Sequence, residues 1–148
     1  MKLRLLATAI LATATFAAVA HAHDTSTPIT EVNRNFLGLY EGVSAALAAD
    51  DLAAAKKAAT AIPTAAPQPA ATLEAAKTIA AASSLKAARE AFKILSKRAV
   101  HVAENQAGFY HAHCPMVPNS EGDWVQTTKT INNPYFGKSM AKCGSIQD

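Results

Sequence analysis

The sequence contains few of the residues and patterns that usually mark a catalytic or cofactor site. Its 148 residues include two cysteines, one tryptophan and only 6% aromatic residues. It has no Cys-x-x-Cys-His sequence for haem attachment, and we find no phosphate loop, carboxylate pair or Ser-His-Asp pattern that would support a reaction. We therefore expect that the protein is not an enzyme.

Long apolar runs are also missing, apart from one at the start of the chain. Lys2 and Arg4 precede an uncharged apolar run over residues 5–20, and small residues follow. This order is typical of a secretory signal peptide, and a run of about 16 residues is shorter than the roughly 20 that a membrane span needs. We expect a signal peptide over residues 1–22, cleaved after Ala20 or Ala22, and a periplasmic or secreted mature chain without a membrane span.

An excess of charge of one sign is also lacking once this segment is removed. The full chain has 14 Lys and Arg against 11 Asp and Glu, a formal charge of +3. Removing Lys2 and Arg4 leaves 12 basic residues and a formal charge of +1. The sequence also has no cationic run with interleaved aromatic residues, so neither nucleic acid nor an anionic membrane surface is expected as a partner.

Either cleavage position would leave a histidine at the new N-terminus. A chain beginning at His21 would have a histidine third from a free amine, and one beginning at His23 would have an imidazole beside the amine. Both arrangements can bind Cu(II), whereas histidines near cleavage sites are often incidental. The roles of His21 and His23 stay open at this point, as does the oligomeric state.

The next part of the chain is rich in alanine, and its larger apolar residues recur at helical spacing. We predict helices over residues 29–47 with Thr27 as N-cap and Pro28 first, 52–62 with a cap at Asp50 or Asp51 and a stop at Pro63, 71–82, and 85 to near Gly108 with a cap at Ser83 or Ser84. A proline-rich linker over residues 63–70 separates the second helix from the third. The fold class we predict is all-α, with a small antiparallel four-helix bundle over residues 23–108.

The composition changes abruptly after Gly108. Residues 109–148 contain both cysteines, the only tryptophan and two of the three methionines. Because they have no helical stripe, we expect an irregular C-terminal segment of the same domain that packs on the bundle. Trp124, Tyr135 and Phe136 are expected to hold it there through buried apolar area.

Both cysteines of this segment stand near a methionine. Pro115 keeps the Cys114-x-Met116 stretch extended, so the two side chains point the same way. Asn133 can cap a short helix with Pro134 at its first position and Gly144 at its end, which would place Met140 and Cys143 one turn apart on one face. If this helix docks against the loop, four sulfur atoms converge.

Two interpretations of the sulfur residues follow from spacing alone. Two thiolates and two thioethers form a soft donor set that suits Cu(I), whereas a zinc site would have to recruit His111 or His113, of which His113 adjoins Cys114. In an exported protein, however, two cysteines usually pair, and a Cys114–Cys143 disulfide would close a loop of about 30 residues.

The remaining histidines are less informative. In an extended strand His111 and His113 share one face and Cys114 lies on the other. His101 falls outside the apolar stripe of the fourth helix, so we expect it to face solvent or to be covered by the C-terminal segment.

Several stretches resemble an uncharacterised family of bacterial periplasmic helical domains, found alone and at the C-terminal ends of heavy-metal efflux adaptor proteins. They are HCPM, GDWVQ and INNPYFGKSMAKCGS, preceded by AADDLAAAKKAA and AREAFKILSKRAVHV. The Cys-Pro-Met piece also looks like the Tyr-x-Cys-Pro-Met-His-Pro motif of copper-transporting ATPases, except that Val117 replaces the histidine. The resemblance implies a role in copper or related metal handling, a heavy-metal efflux system as possible partner, and no known reaction. The matching positions are Cys114, Met116, Met140 and Cys143.

Residues and resemblance together predict a soft-metal site for Cu(I) that serves in copper buffering, transfer or resistance. Cys114 and Cys143 would be thiolate ligands, Met116 and Met140 thioether ligands, and His113 an additional or substitute ligand. The alternative is a structural or efflux-adaptor interaction module with a Cys114–Cys143 disulfide and no metal.

Overall fold

A computed structural model describes residues 28–147, which form four α-helices followed by a small antiparallel sheet. The helices are α1 (Glu31–Ala48), α2 (Leu52–Ala65), α3 (Ala70–Ala81) and α4 (Leu85–Ala103). The strands are β1 (Tyr110–His113), β2 (Asp123–Gln126) and β3 (Ser145–Ile146). The predicted signal peptide over residues 1–22 lies outside the described residues. So do His23 and the predicted N-cap Thr27.

Side-chain caps set where three of the helices begin. The Asp51 carboxylate accepts the Ala54 N–H at 2.9 Å and the Ser84 hydroxyl accepts the Ala87 N–H at 3.2 Å, so both of these predicted caps are confirmed. The prediction that α1 begins at Pro28 is wrong by one turn. Thr30 is its N-cap, because its hydroxyl accepts the Asn33 N–H at 3.3 Å.

The second helix does not stop at Pro63 as predicted. It continues to Ala65 with the proline inside it, and the Ala66 N–H donates to Ile62 O at 3.1 Å just beyond. A proline in the last turn removes only one helical hydrogen bond, so the helix tolerates it there. The connection to α3 is therefore shorter than the predicted linker.

The helices enclose an apolar core along the predicted stripes. In α4 the side chains of Phe92, Leu95 and Ala99 are fully buried. Short connections make successive helices antiparallel, and α4 also packs on α1, which closes the bundle. Val32 was expected on the apolar face of the first helix, but it lies in the first turn of α1 and is 41% exposed. Within residues 28–147, no helix combines the length and apolarity that crossing a membrane requires.

The C-terminal segment is only partly irregular, since it contains a small sheet, so the all-α prediction is correct only for the bundle. Among the described residues, its strands form a three-stranded antiparallel sheet in the order β2-β1-β3. In the register of β1 with β2, His113 lies opposite Asp123 and His111 opposite Val125. Alternation over residues 111–114 was expected if that stretch is extended, but strands of four, four and two residues are too short for alternation alone to identify a sheet.

Aromatic side chains join this sheet to the bundle. The Tyr40 ring of α1 stacks on the Phe92 ring of α4, with centroids 5.3 Å apart. Tyr135 meets Phe92 edge-on at 5.6 Å and Trp124 at 6.1 Å. Trp124 is fully buried and Phe136 partly buried, so the three aromatic residues expected to hold the segment do pack on the core.

Hydroxyl groups inside the bundle bind the backbone of β2 directly. The Tyr40 hydroxyl accepts the Val125 N–H at 3.2 Å and lies 2.8 Å from the Ser96 hydroxyl. Ser96 donates to Asp123 O at 2.8 Å, and the Tyr135 hydroxyl donates to the same oxygen. Burial raises the pKa of Tyr40 and of Tyr135 well above the ordinary phenol value, so both hydroxyls keep their protons.

The ion pair between Arg89 and Asp50 joins the part of the C-terminal segment around Pro134 and Lys138 to the helices. Arg89 of α4 donates to Asp50 Oδ1 at 2.6 Å, to Leu47 O at 2.7 Å and to Pro134 O at 2.9 Å. The Lys138 N–H donates to the second Asp50 oxygen at 3.1 Å. The hydrogen bond from Arg89, followed by the one from Lys138, lowers the pKa of Asp50 below its usual value. One arginine thus ties two helices to the C-terminal segment.

Gly137 makes this contact possible, and its replacement tests the contact. Its φ is +55°, and a Cβ there would lie 2.0 Å from Asp50 Oδ1. We expect Gly137→Ala to lower the free energy of unfolding by about 1–3 kcal/mol, measured by urea denaturation. Gly38→Ala is the control, because Gly38 lies within α1 with nothing near its would-be Cβ, and it should raise stability by roughly 0.5–1 kcal/mol. Equal stability of Gly137→Ala and the wild type would contradict this account.

Candidate functional site

The two cysteines meet beneath the sheet. Their sulfur atoms are 2.7 Å apart, although 29 positions separate the residues in the chain. Cys114 is fully buried, whereas Cys143 is only partly buried, and both are free thiols. The predicted convergence of Cys114 and Cys143 is therefore present in the fold, with solvent approaching from the Cys143 side.

Backbone hydrogen bonds hold each cysteine from a different element. Cys114 follows β1, and its N–H donates to Gly122 O at 2.9 Å, which extends the pairing with the β2 side. Cys143 lies between a 3-10 turn over Gly137–Met140 and strand β3, and its N–H donates to Met140 O at 3.0 Å. The sulfur pair thus joins the first and last parts of the C-terminal segment.

Asn133 is the residue that fixes the position of Cys143. Its side chain is fully buried, and its Nδ2 donates to Cys143 O at 2.7 Å. Its Oδ1 accepts the N–H groups of Tyr135 at 2.8 Å and Phe136 at 3.1 Å. Asn133 Oδ1 thus caps a turn over residues 134–136 and not the helix that it was predicted to cap. The predicted short α-helix is wrong, since the chain forms only turns and the 3-10 segment before Cys143.

Gly144 lets the chain pass close to the sheet immediately after Cys143. Its φ is +126°, and a Cβ there would lie 2.7 Å from the Trp124 ring and 2.8 Å from His113 O. A side chain at this position would push Cys143 away from Cys114. Gly144 is therefore needed both for the positive φ of the backbone and for the short distance between the two sulfur atoms.

The two methionines differ in their surroundings. Met140 is partly buried at the end of the 3-10 turn and belongs to the same backbone turn as Cys143. Met116 is 59% exposed, although Pro115 alone separates it from Cys114. Of the two predicted thioether ligands, Met140 shares a backbone turn with Cys143, whereas Met116 lies largely in solvent.

The histidines of β1 make their own contact on the other face of the strand. His111 Nε2 lies 2.8 Å and His113 Nδ1 3.0 Å from the same oxygen, Asp123 Oδ1. Ala112 between them and Cys114 after them are fully buried. The predicted alternation is confirmed, and His113 is bonded to Asp123 on the face opposite Cys114. His101 is exposed on α4, as expected.

The sulfur pair can form a disulfide bond, with two electrons passing to an oxidant and two protons to solvent, or it can release its protons to solvent when a metal ion binds. The hydrogen bond with Cys114, followed by partial desolvation, raises the pKa of the Cys143 thiol above its usual value. A disulfide bond is about 2.05 Å long, so oxidation requires only a small inward shift of the sulfurs. A metal ion about 2.3 Å from each sulfur would need the two atoms about 3.8 Å apart, so binding requires an outward shift of roughly 1 Å.

Sequence reasoning missed Asp123, Arg89 and the bond from Asn133 to Cys143. Each acts on a residue at least ten positions away in the chain. Only the Gly122-Asp123-Trp124 stretch carried a signal, because the resemblance singled it out without assigning a role to the aspartate.

The role of Asn133 can be tested without removing its capping oxygen. Asn133→Asp keeps an acceptor for the Tyr135 and Phe136 N–H groups but places an oxygen against Cys143 O, so the donor is lost. We expect the thiols of the reduced protein to react with a disulfide reagent at least about fivefold faster, because a buried hydrogen bond contributes roughly 1–3 kcal/mol against local opening.

Asn132→Asp introduces the same charge at an exposed neighbouring position and is the matched control. It should leave the labelling rate unchanged. Wild-type labelling rates in Asn133→Asp would show that the hydrogen bond does not hold Cys143 in place.

Comparisons with models of protein families, with curated proteins and with solved structures find no match for this chain. The resemblance noted from the sequence therefore stays a prediction. Within residues 28–147, no group of three or more His, Cys, Asp and Glu side chains could hold a metal ion. Two cysteines with a methionine form a different donor set, which has to be judged by its own geometry.

Proposed function

We propose that this protein is an exported binding protein for a soft metal ion, Cu(I), and that it serves in copper buffering, transfer or resistance. The observation that carries the proposal is the meeting of Cys114 and Cys143, with 2.7 Å between their sulfur atoms. Soft thiolate and thioether donors prefer Cu(I) to hard cations. Export rests on the pattern of residues 1–22, and the link to a heavy-metal efflux system rests on the sequence resemblance.

The arrangement supports a site with unequal ligands. Cys114 is fully buried and anchored by β1, so it is the fixed ligand. Cys143 is nearer the surface and within a turn, so it is the ligand that moves outward to admit the ion. Met140, in the same turn, is the better placed thioether, and Met116 would have to fold back from solvent. His113 would have to leave Asp123 to take part.

A titration under anaerobic, reducing conditions tests this proposal. Reduced protein should take one Cu(I) per chain from a colorimetric chelator, and Cys114→Ser or Cys143→Ser should each abolish tight binding. Met140→Leu should weaken binding about tenfold, whereas Met116→Leu, at an exposed position, should weaken it less. The proposal is wrong if the chelator retains all the Cu(I), or if Cys143→Ser binds as tightly as the wild type.

A second candidate function uses the same two residues without a metal. The closeness of the sulfur atoms and the complete burial of Cys114 also favour a disulfide that staples the C-terminal segment of a structural or efflux-adaptor interaction module. An oxidising compartment would form such a bond unless a metal or a reductant prevents it.

Unfolding with and without reductant tests this second candidate. An oxidised Cys114–Cys143 pair closes a loop with a sequence separation of 29, and loss of the bond should lower the free energy of unfolding by roughly 3–4 kcal/mol. Reductant should not affect the stability of the Cys114→Ser/Cys143→Ser double variant. If protein isolated without reductant retains two free thiols and gains no stability from a mild oxidant, the staple is excluded.

A further inference from the structure

The two thiols of the sulfur pair differ in how far a compound in solvent can reach them. Cys143 is partly exposed, whereas Cys114 is fully buried. We propose that Cys143 is a site of reversible modification by small disulfide compounds, and that Cys114 displaces the attached thiol to form the Cys114–Cys143 disulfide. The inference rests on the proposed function for one consequence, namely that this exchange closes the Cu(I) site.

The first step of the exchange takes place at Cys143, because a disulfide compound has to touch the thiol that attacks it. The Cys143 thiol gives its proton to solvent, and its sulfur attacks one sulfur atom of the compound. The S–S bond of the compound breaks, a mixed disulfide forms on Cys143, and a small thiolate leaves. A small compound suits this step, since the pair is open to solvent only on the side of Cys143.

Cys114 is already in place for the second step. Its sulfur atom lies 2.7 Å from that of Cys143. After losing its proton, it attacks the Cys143 sulfur, the Cys114–Cys143 bond forms, and a second small thiolate leaves. Two electrons have then passed from the pair to the compound, and the two protons of the pair end on the two small thiols. Because both reacting groups belong to one chain, this step is faster than attack by another small molecule.

Hydrogen bonds of the backbone keep the two cysteines together during the exchange. The Cys143 N–H donates to Met140 O at 3.0 Å, and Cys143 O accepts from Asn133 Nδ2 at 2.7 Å. The Cys114 N–H donates to Gly122 O at 2.9 Å. A thiol attached to Cys143 can therefore point to solvent while the backbone stays in place. Cys114 then remains next to the sulfur atom that it has to attack.

The exchange controls metal binding, since thiolates are the form of cysteine that binds a metal ion and a disulfide has none. The reverse reaction restores the site and begins at the same residue. A small thiolate attacks the Cys143 sulfur of the disulfide, Cys114 leaves as a thiolate and takes up a proton, and a second small thiolate releases Cys143 from the mixed disulfide. The protein thus binds Cu(I) only where small thiols keep the pair reduced.

Mass spectrometry of the full chain treated with hydroxyethyl disulfide tests the proposal. Reduced Cys114→Ser, which leaves only Cys143, should acquire one attached thiol per chain and keep it. Cys143→Ser, which leaves only the buried Cys114, should react at least about tenfold more slowly. In urea the two variants should react at the same rate, because unfolding removes the difference in burial. The wild type should end as the internal disulfide with no attached thiol.

The wild type gives a second readout that does not depend on how the variants fold. In samples quenched with acid early in the reaction, the attached thiol should map to Cys143. The proposal is overturned if the thiol maps to Cys114, if folded Cys143→Ser reacts as fast as folded Cys114→Ser, or if the wild type ends with two attached thiols.

Cu(I) uptake by the same samples separates this inference from the proposed function. The oxidised wild type should bind Cu(I) at least about a hundredfold more weakly than the reduced protein, and dithiothreitol should restore binding. A reduced protein that binds no Cu(I) overturns the proposed function, and the position of the attached thiol still decides the exchange. Oxidised protein that binds Cu(I) as tightly as reduced protein overturns the control of the site by the exchange.

Discussion

The hydrogen bonds and apolar contacts between the helical bundle and strand β2 are the interactions on which the rest of the structure depends. Tyr40 and Ser96 reach from α1 and α4 to the backbone of β2, and Trp124 fills the space behind it. A buried backbone group without a partner costs about as much as a lost hydrogen bond, so these hydroxyls fix the strand as well as cover it. Since β2 pairs with β1, the same contact also positions Cys114 at the end of β1 and the histidines on its other face.

The sheet separates two kinds of chemistry within a few residues. Cys114 turns toward the core and meets Cys143, whereas His111 and His113 turn outward to Asp123. The thiols and the imidazoles therefore lie on opposite faces of the strand. Because Cys143 is partly exposed and Cys114 is fully buried, solvent reaches the sulfur pair only from the side of Cys143.

Local signals in the sequence predicted the bundle well. The apolar stripe of α4 and the caps at Asp51 and Ser84 depend on residues within one turn of each other, and they are found as expected. The meeting of Cys114 and Cys143 was also predicted, because each cysteine has a methionine close by and the resemblance pairs the two motifs. Features that depend on residues close together in the sequence could therefore be predicted.

The missed features act between elements that no local pattern connects. Alternation over residues 111–114 gave the faces of one possible strand but not its partners, so neither the sheet nor the pairing of His113 with Asp123 followed from sequence. In the sequence, Arg89 cannot be distinguished from a solvated cation on a helix surface. Only the fold shows that it donates hydrogen bonds to Pro134 O and Asp50. Such contacts are decided by how the segment docks.

The most direct test of the central claim, that Cys114 and Cys143 together bind Cu(I), is X-ray absorption at the copper edge of the reduced, Cu(I)-loaded protein. The account predicts at least two sulfur atoms bound to copper in the wild type and at least one fewer in Cys143→Ser, whose weakened site is loaded with an excess of Cu(I). A copper environment made only of nitrogen and oxygen, or one unchanged in the variant, would contradict it.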